Sequence, residues 1–165
     1  MITLSQSAIA RAEAEGMDRF LTLLTDAFLH EINGELSAQN MSLLNGYQHA
    51  LLALRFFSEQ VNEGGFVQLI QNGYGGYLFL NPTAKAWKLM GANQLSKILY
   101  KAKTIYDKHR QALERETTDE EFMAMYEQFE QFDALEEKYM EVEEQEIGII
   151  AAYVKEHIDD FVQIV

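Results

Sequence analysis

Apolar residues recur at helical spacing along most of this chain, and the pattern predicts a protein built from α-helices. Ser5 suits the N-cap of a first helix that runs to about Ile32, and Gly16 is a weak point within that helix. A second helix is predicted over residues 43–62, and the doublet Gly64-Gly65 ends it because glycine is a poor helix former.

Glycines and the one proline interrupt the middle of the chain. A short helix over 66–71 follows the glycine doublet, and the apolar run 77–80 is predicted to be an irregular buried segment. Asn81-Pro82 suits the start of another short helix, because Asn caps well and Pro is tolerated in a first turn. Asn93 is expected to cap a longer helix over 94–115.

Two capping patterns mark the last part of the chain. The run Thr118-Asp-Glu-Glu121 is a capping box, and Asp133-Ala-Leu-Glu136 has the same spacing where the apolar stripe shifts phase. We therefore predict a break at Asp133 between two helices. Because no internal repeat or linker is visible, residues 1–165 are predicted to form one domain, an all-α, irregular multi-helix bundle.

Almost all of the excess charge lies in one segment. The chain has a formal net charge of −13, and residues 114–146, here named the acidic segment, hold 14 carboxylates against Arg115 and Lys138. As helix, this segment spans roughly 50 Å and carries one net charge per roughly 4 Å, close to the roughly 3.4 Å phosphate spacing of one DNA strand. Such a surface repels nucleic acid and attracts cationic proteins.

A basic segment, residues 85–110, precedes the acidic one and holds seven cations against Asp107 alone. It either pairs with the acidic segment, in this chain or in a second copy, or leaves the anionic surface free. Like charges at Glu137/Glu141 and Glu141/Glu144 favour a functional role for the acidic segment, because each such pair destabilises a helix by roughly a few tenths of a kcal/mol.

Several kinds of site are not expected. The chain has no cysteine, which excludes disulfides, thiolate nucleophiles and cysteine-based zinc sites. His30, His49, His109 and His157 show no metal-binding spacing, so no metal or other cofactor is predicted. Glu146 falls on the predicted apolar face of the last helix and is a candidate for a perturbed carboxylate. No nucleophile, metal or phosphate-loop signature is present, and we expect a protein that is not an enzyme.

The ends and the hydropathy of the chain favour the cytoplasm. The first residues lack the basic start and apolar stretch of a secretory signal. No run approaches the roughly 18 apolar residues that a membrane span needs. We therefore predict a cytoplasmic protein.

The stretch Glu59-Gln-Val-Asn-Glu-Gly-Gly-Phe-Val-Gln-Leu-Ile-Gln-Asn72 resembles the signature of the bacterial DNA-mimic-protein-like family. The pattern over 77–101 and the acidic, aromatic tail are also similar, so the resemblance covers about residues 43–162. It implies an all-α fold and no known enzymatic activity. The family's named member imitates duplex DNA at the DNA-binding face of a transcription factor, and the resemblance implies a related role here.

Two candidate sites follow from these patterns. The first is an acidic surface that binds a basic protein, such as a DNA-binding transcription factor. Its predicted residues are Glu120, Glu121, Glu127, Glu130, Asp133, Glu136, Glu137, Glu141, Glu143 and Glu144. The alternative is a helical binding module for a small molecule or peptide around the Gly/aromatic segment 59–87. Its predicted residues are Glu59, Asn62, Phe66, Gln68, Asn72, Tyr74 and Trp87.

Three expectations about partners complete the predictions. Direct binding to nucleic acid is not expected, because the net charge of −13 opposes it. Membrane binding is not expected either. A homodimer is predicted from the base rates of soluble oligomers and from the apolar content of 48%.

Overall fold

The computed structural model describes all 165 residues, and helices dominate it. The eight α-helices are α1 Gln6–Glu15, α2 Met17–Glu31, α3 Gly46–Gln71, α4 Gly75–Phe79, α5 Thr83–Leu89, α6 Asn93–Glu114, α7 Asp119–Gln128 and α8 Asp133–Glu156. Single 3-10 turns occur at Met41–Leu43, Glu130–Phe132 and Ile158–Asp160. Two short parallel strands, β1 Thr3–Leu4 and β2 Gln163–Ile164, pair the two ends of the chain. The all-α prediction is confirmed.

The first predicted helix is two helices. Ser5 caps α1 as expected, since its Oγ accepts a hydrogen bond from the Ala8 N–H at 3.1 Å. The helix then stops at Gly16, whose φ of 122° and ψ of 172° lie far from helical values. Glycine adopts this conformation without the penalty of a Cβ, so the weak point in the pattern is a complete break between α1 and α2.

Helix α3 begins at Gly46 rather than at Leu43 and continues past the glycine doublet. Asn45 and Gln48 form its capping box, with each side chain accepting a backbone N–H of the other at 2.8 Å. Gly65, with a φ of 76°, separates the helical turns before and after it. The predicted stop at the doublet and the short helix after it are therefore present as two halves of one kinked helix.

Two of the predictions for residues 77–82 were wrong. The run 77–80 is not irregular, because Gly75–Phe79 forms the short helix α4. A Cβ on Gly75 would lie 2.8 Å from the Tyr106 ring, so the glycine lets this helix pack closely on α6. Asn81 does not cap α5, since Pro82 precedes its first residue; the Asn81 side chain instead donates to the Tyr77 carbonyl at 3.0 Å.

The predicted capping box of α7 is confirmed, with both Thr118–Glu121 hydrogen bonds at 3.2 Å. The predicted break before α8 is also confirmed. Asp133, however, is the first helical residue of α8 and not its cap. The 3-10 turn between the helices buries Phe129 and Phe132, which its three-residue repeat places on one side.

An aromatic cluster joins α3, α5 and α8 at the centre of the core. Phe57 packs edge-to-face against Phe66, Trp87 and Tyr139, with ring centroids 5.6, 5.4 and 4.9 Å away. Phe66 also stacks on Phe132 at 5.2 Å. These five rings belong to one hydrophobic cluster of 40 buried residues, to which all eight α-helices contribute.

Two carboxylates of α8 close the N-termini of other helices. The Glu136 Oε1 accepts the N–H of Phe66, the first residue after the kink in α3, at 3.3 Å. The Glu146 Oε1 accepts the N–H of Leu95, the third residue of α6, at 2.8 Å. The prediction that Asn93 caps α6 was wrong, because Asn93 lies inside the helix and a side chain distant in sequence supplies the cap.

Gly65 is required by the kink and by the approach of Glu136. We expect Gly65→Ala to lower the free energy of unfolding by about 3 kcal/mol, because Ala is strained at a φ of 76° and its Cβ would collide with the Glu136 carboxylate. Gly34→Ala is the matched control: its φ is 72°, but nothing lies within 4 Å, and we expect a loss of about 1 kcal/mol. Urea melts measure both. Equal losses would show that Glu136 moves aside freely.

The cap from Glu146 is also testable by urea unfolding. Glu146→Gln keeps an acceptor oxygen, and we expect it to lie within about 1 kcal/mol of the wild type. Glu146→Ala leaves the Leu95 N–H unpaired beside a void and should cost about 3 kcal/mol. Glu144→Ala, an exposed residue of the same helix, should cost less than about 0.5 kcal/mol. A similar loss in the two Ala variants would contradict the capping role.

Candidate functional site

Most of the predicted acidic surface faces solvent on α7, the following turn and α8. Seven of its ten residues are exposed, namely Glu120, Glu127, Glu130, Asp133, Glu137, Glu141 and Glu144. The other three, Glu121, Glu136 and Glu143, are partly buried. We name the seven exposed residues the acidic face. The apolar inner residues of α7 and α8 pack on the core, so amphipathic helices present these carboxylates outward.

Few cations neutralise this surface. Arg115 contacts Glu121 at 2.7 Å, and Lys138 contacts Glu141 at 3.7 Å. The Arg115 hydrogen bond, helped by the Thr118 N–H, holds the pKa of Glu121 below its ordinary value. The eight other predicted carboxylates form no salt bridge, and six of them belong to the acidic face. These side chains carry charge that the chain itself leaves unpaired.

The basic segment does not cover the acidic face. Within it, Lys103 pairs with Asp107 and Arg110 pairs with Glu114, each four residues further along α6. The remaining cations are exposed and form no salt bridge; they are Lys85, Lys88, Lys97, Lys101 and Lys108. Of the two arrangements left open by the sequence, pairing of the two segments within one chain is therefore limited to Arg110 and Glu114.

Two exposed methionines lie among the carboxylates. The side chains of Met123 on α7 and Met140 on α8 are 64% and 73% exposed. Met140 follows Glu137 by three residues and precedes Glu144 by four, so these three side chains share one face of α8. Sequence reasoning missed both methionines, although each falls outside the apolar stripe of its helix. They add apolar contact area to an otherwise anionic surface.

The residues of the alternative site do not converge on one pocket. Phe66 and Trp87 are fully buried in the aromatic cluster. Glu59 pairs with Arg55 at 3.0 Å on the exposed side of α3. Tyr74 stacks on Phe56 with ring centroids 4.8 Å apart. The aromatic members therefore pack in or against the core, and the acidic member lies in a surface ion pair.

Two of the three remaining polar members of the alternative site, Gln68 and Asn72, bridge the kink of α3. Gln60, before the glycine doublet, accepts hydrogen bonds from Gln68 at 3.3 Å and from Asn72 at 2.8 Å. Asn62 donates to the Ser58 hydroxyl at 3.3 Å within the same helix. The motif that carries the family resemblance is thus largely architectural: its glycines permit the kink, and its amides bridge the two halves of the helix.

Two further features bear on the kind of site. No group of three or more His, Asp and Glu side chains has an arrangement suited to a metal ion. No helix combines the length and the apolar character that crossing a membrane requires.

Glu136 differs from the other predicted acidic residues because it points inward. Burial raises its pKa, and so does the nearby Asp133 carboxylate, while the hydrogen bond from the Phe66 N–H opposes the shift. Glu136 was predicted to belong to the outer binding surface. Because its carboxylate points inward, it suits that role less well than the seven exposed residues do. Its carboxylate contacts the helix terminus at Gly65 and Phe66.

The raised pKa of Glu136 gives a pH prediction. An acid whose pKa is higher in the folded state binds more protons there, so its ionisation weakens the fold as pH rises through that pKa. Glu136→Gln keeps an oxygen for the Phe66 N–H and removes the charge. We expect the Glu136→Gln variant to have a higher free energy of unfolding than the wild type at pH 7. This difference should vanish below the pKa of Glu136 in the unfolded chain, about 4.3. Urea melts at several pH values measure it, and a gain independent of pH would contradict the assignment.

Comparison with known proteins identifies the family. The family model described as "DMP19-like protein" matches residues 42–157. The "DNA mimic protein DMP19" of Neisseria meningitidis serogroup B is 32% identical over 145 residues, which cover 87% of each chain. The matched range includes the kinked helix α3, the basic segment and the whole acidic face. The resemblance predicted from the sequence is confirmed: this chain belongs to the DMP19-like protein family.

Proposed function

We propose that this chain is a non-enzymatic DNA mimic that binds a basic, DNA-binding protein through its acidic face. The observation that carries the proposal is the row of exposed carboxylates on α7 and α8, most of which no cation of the chain contacts. Membership of a family whose relative is named a DNA mimic protein supports it. A transcription factor is the finer proposal for the partner, because its DNA-binding face is rich in Lys and Arg.

The spacing of the charges suits a surface that normally contacts phosphates. The part of α8 from Asp133 to Glu146 rises roughly 20 Å, and α7 rises roughly 15 Å. The turn Glu130–Phe132 divides the acidic segment, so that its charges lie on two helices rather than along one line. A partner whose cations are spaced for a duplex can engage carboxylates on both helices.

The two exposed methionines beside the acidic face distinguish this surface from one that carries charge alone. Met123 and Met140 can pack against the aliphatic stems of a partner's Lys and Arg while the carboxylates pair with the charged heads. Electrostatic attraction then accelerates encounter, and the methionine contacts lengthen the life of the complex. A homodimer stays a prediction, and the five unpaired lysines of α5 and α6 provide a surface of opposite sign for a second copy.

A charge-neutralised variant tests the proposal. We expect Glu127→Gln, Glu130→Gln, Glu137→Gln and Glu144→Gln together to weaken partner capture by roughly tenfold or more, because four exposed, unpaired charges are lost. The measurement is capture from a lysate of the source organism at low salt, followed by a salt gradient and, separately, by elution with short duplex DNA. If the chain is a DNA mimic, the salt gradient and the duplex DNA should each release the partner.

The control variant removes the same number of charges elsewhere. Glu13→Gln, Glu31→Gln, Glu35→Gln and Glu63→Gln are also exposed, unpaired positions, and they lie outside the acidic segment. We expect this variant to retain the partner and both variants to keep the helical circular dichroism of the wild type. Equal retention by the two variants, or a captured protein that duplex DNA does not release, would contradict DNA mimicry at the acidic face.

A further inference from the structure

A cavity of about 550 Å³ lies away from the acidic face, between the start of α3, the α4–α5 connection and the last turns of α8. None of the ten predicted acidic residues lines it. Most of its wall is apolar or aromatic, with Met41, Tyr47, Tyr77, Leu89 and Tyr153 among the lining side chains. Its volume falls within the range of roughly 300–1,000 Å³ that is typical of small-molecule sites.

The lining of this cavity carries no formal charge. No Asp, Glu, Lys or Arg contributes to it, and His49 is its one imidazole. The His49 Nε2 lies 2.7 Å from the Met41 carbonyl, which can only accept, so Nε2 carries the proton. Its Nδ1 lies 2.8 Å from the Tyr77 hydroxyl, which is also 3.3 Å from the His49 carbonyl that accepts from it. Because no acidic side chain and no Lys or Arg lines it, the cavity suits an uncharged guest.

Thr83 supplies an unused polar group in the wall. The residue is only 6% exposed, lines the cavity, and uses its backbone N–H in a 2.8 Å bond to the Asn81 carbonyl. Its hydroxyl forms no hydrogen bond within the chain and remains accessible from outside. A hydroxyl that is accessible and unpaired within the chain can donate to or accept from a guest.

We propose that this cavity binds an uncharged, mainly aromatic small molecule that carries one hydroxyl or carbonyl group, with Thr83 as its hydrogen-bond partner. Tyr47, Tyr77 and Tyr153 give the wall the aromatic character that suits an aromatic guest, and Ala86 and Leu89 line the same space from α5. One aromatic side chain of a partner protein would leave much of a cavity of 550 Å³ empty, which favours a free ligand over a protein anchor. This site is additional to the proposed DNA mimicry.

The first test uses 2-naphthol as the probe and follows its fluorescence on titration with the protein. The wild type should bind it saturably at one site. Ala86→Phe fills the cavity from α5 and should weaken binding at least tenfold, whereas Ala124→Phe makes the same change at an exposed position of α7 and should leave it unchanged. Circular dichroism melts establish that both variants fold. Absent or unsaturable binding, or equal affinity in the two variants, would overturn the site.

The second test isolates the hydroxyl of Thr83. Thr83→Val has nearly the same shape without the hydroxyl, and should weaken 2-naphthol binding three- to tenfold while leaving the binding of naphthalene unchanged. Equal effects on the two probes would overturn the role of Thr83. If 2-naphthol instead released a protein captured from lysate, the cavity would belong to a partner's side chain, and the small-molecule assignment would be wrong. Loss of DNA mimicry in the acidic variants affects neither test.

Discussion

The carboxylate caps that α8 places on other helices are the interaction on which this architecture depends. A helix N-terminus leaves backbone N–H groups without partners and carries a partial positive charge. Glu146 reaches the start of α6, and Glu136 reaches the restart of α3 after Gly65, so one helix fixes two others. Glu136 and Glu146 therefore serve the fold as hydrogen-bond acceptors, and their role differs from that of the carboxylates on the outer surface.

The same helix tolerates crowded outer charge because its inner side is strongly apolar. Tyr139, Val142 and Ile150 are buried, and each contributes to the hydrophobic cluster. Burial of a large apolar side chain contributes roughly 1.5–3 kcal/mol, which exceeds the few tenths of a kcal/mol that each pair of like charges costs on a helix surface. The fold can hence maintain a dense anionic face that an isolated peptide of this sequence could not support as helix.

Local patterns in the sequence correctly predicted those helix ends that interactions between neighbouring residues determine. The capping box at Thr118, the stop at the glycine doublet and the break before α8 depend on neighbouring residues and were found. The caps of α5, α6 and α8 were misplaced, and for α6 the true partner is 51 residues away in sequence. The exposed acidic residues followed from helical spacing, whereas the inward turn of Glu136 depends on tertiary contact with the kink. The cavity at Thr83 combines residues of four helices, so that none of the residues named for the alternative site lines it, although part of its wall belongs to the predicted segment 59–87.

The pairing of β1 with β2 holds the two ends of the chain side by side. Ile2 accepts the N–H of Gln163 at 2.8 Å, and Leu4 accepts that of Val165 at 3.0 Å, so both chain ends lie on the same spot of the surface. A short loop can join them, and the exposed Asn33-Gly34 turn is a natural place to open the chain again. Such a circular permutant would begin near the connection to α3, and α1 and α2 would follow the acidic helices in sequence.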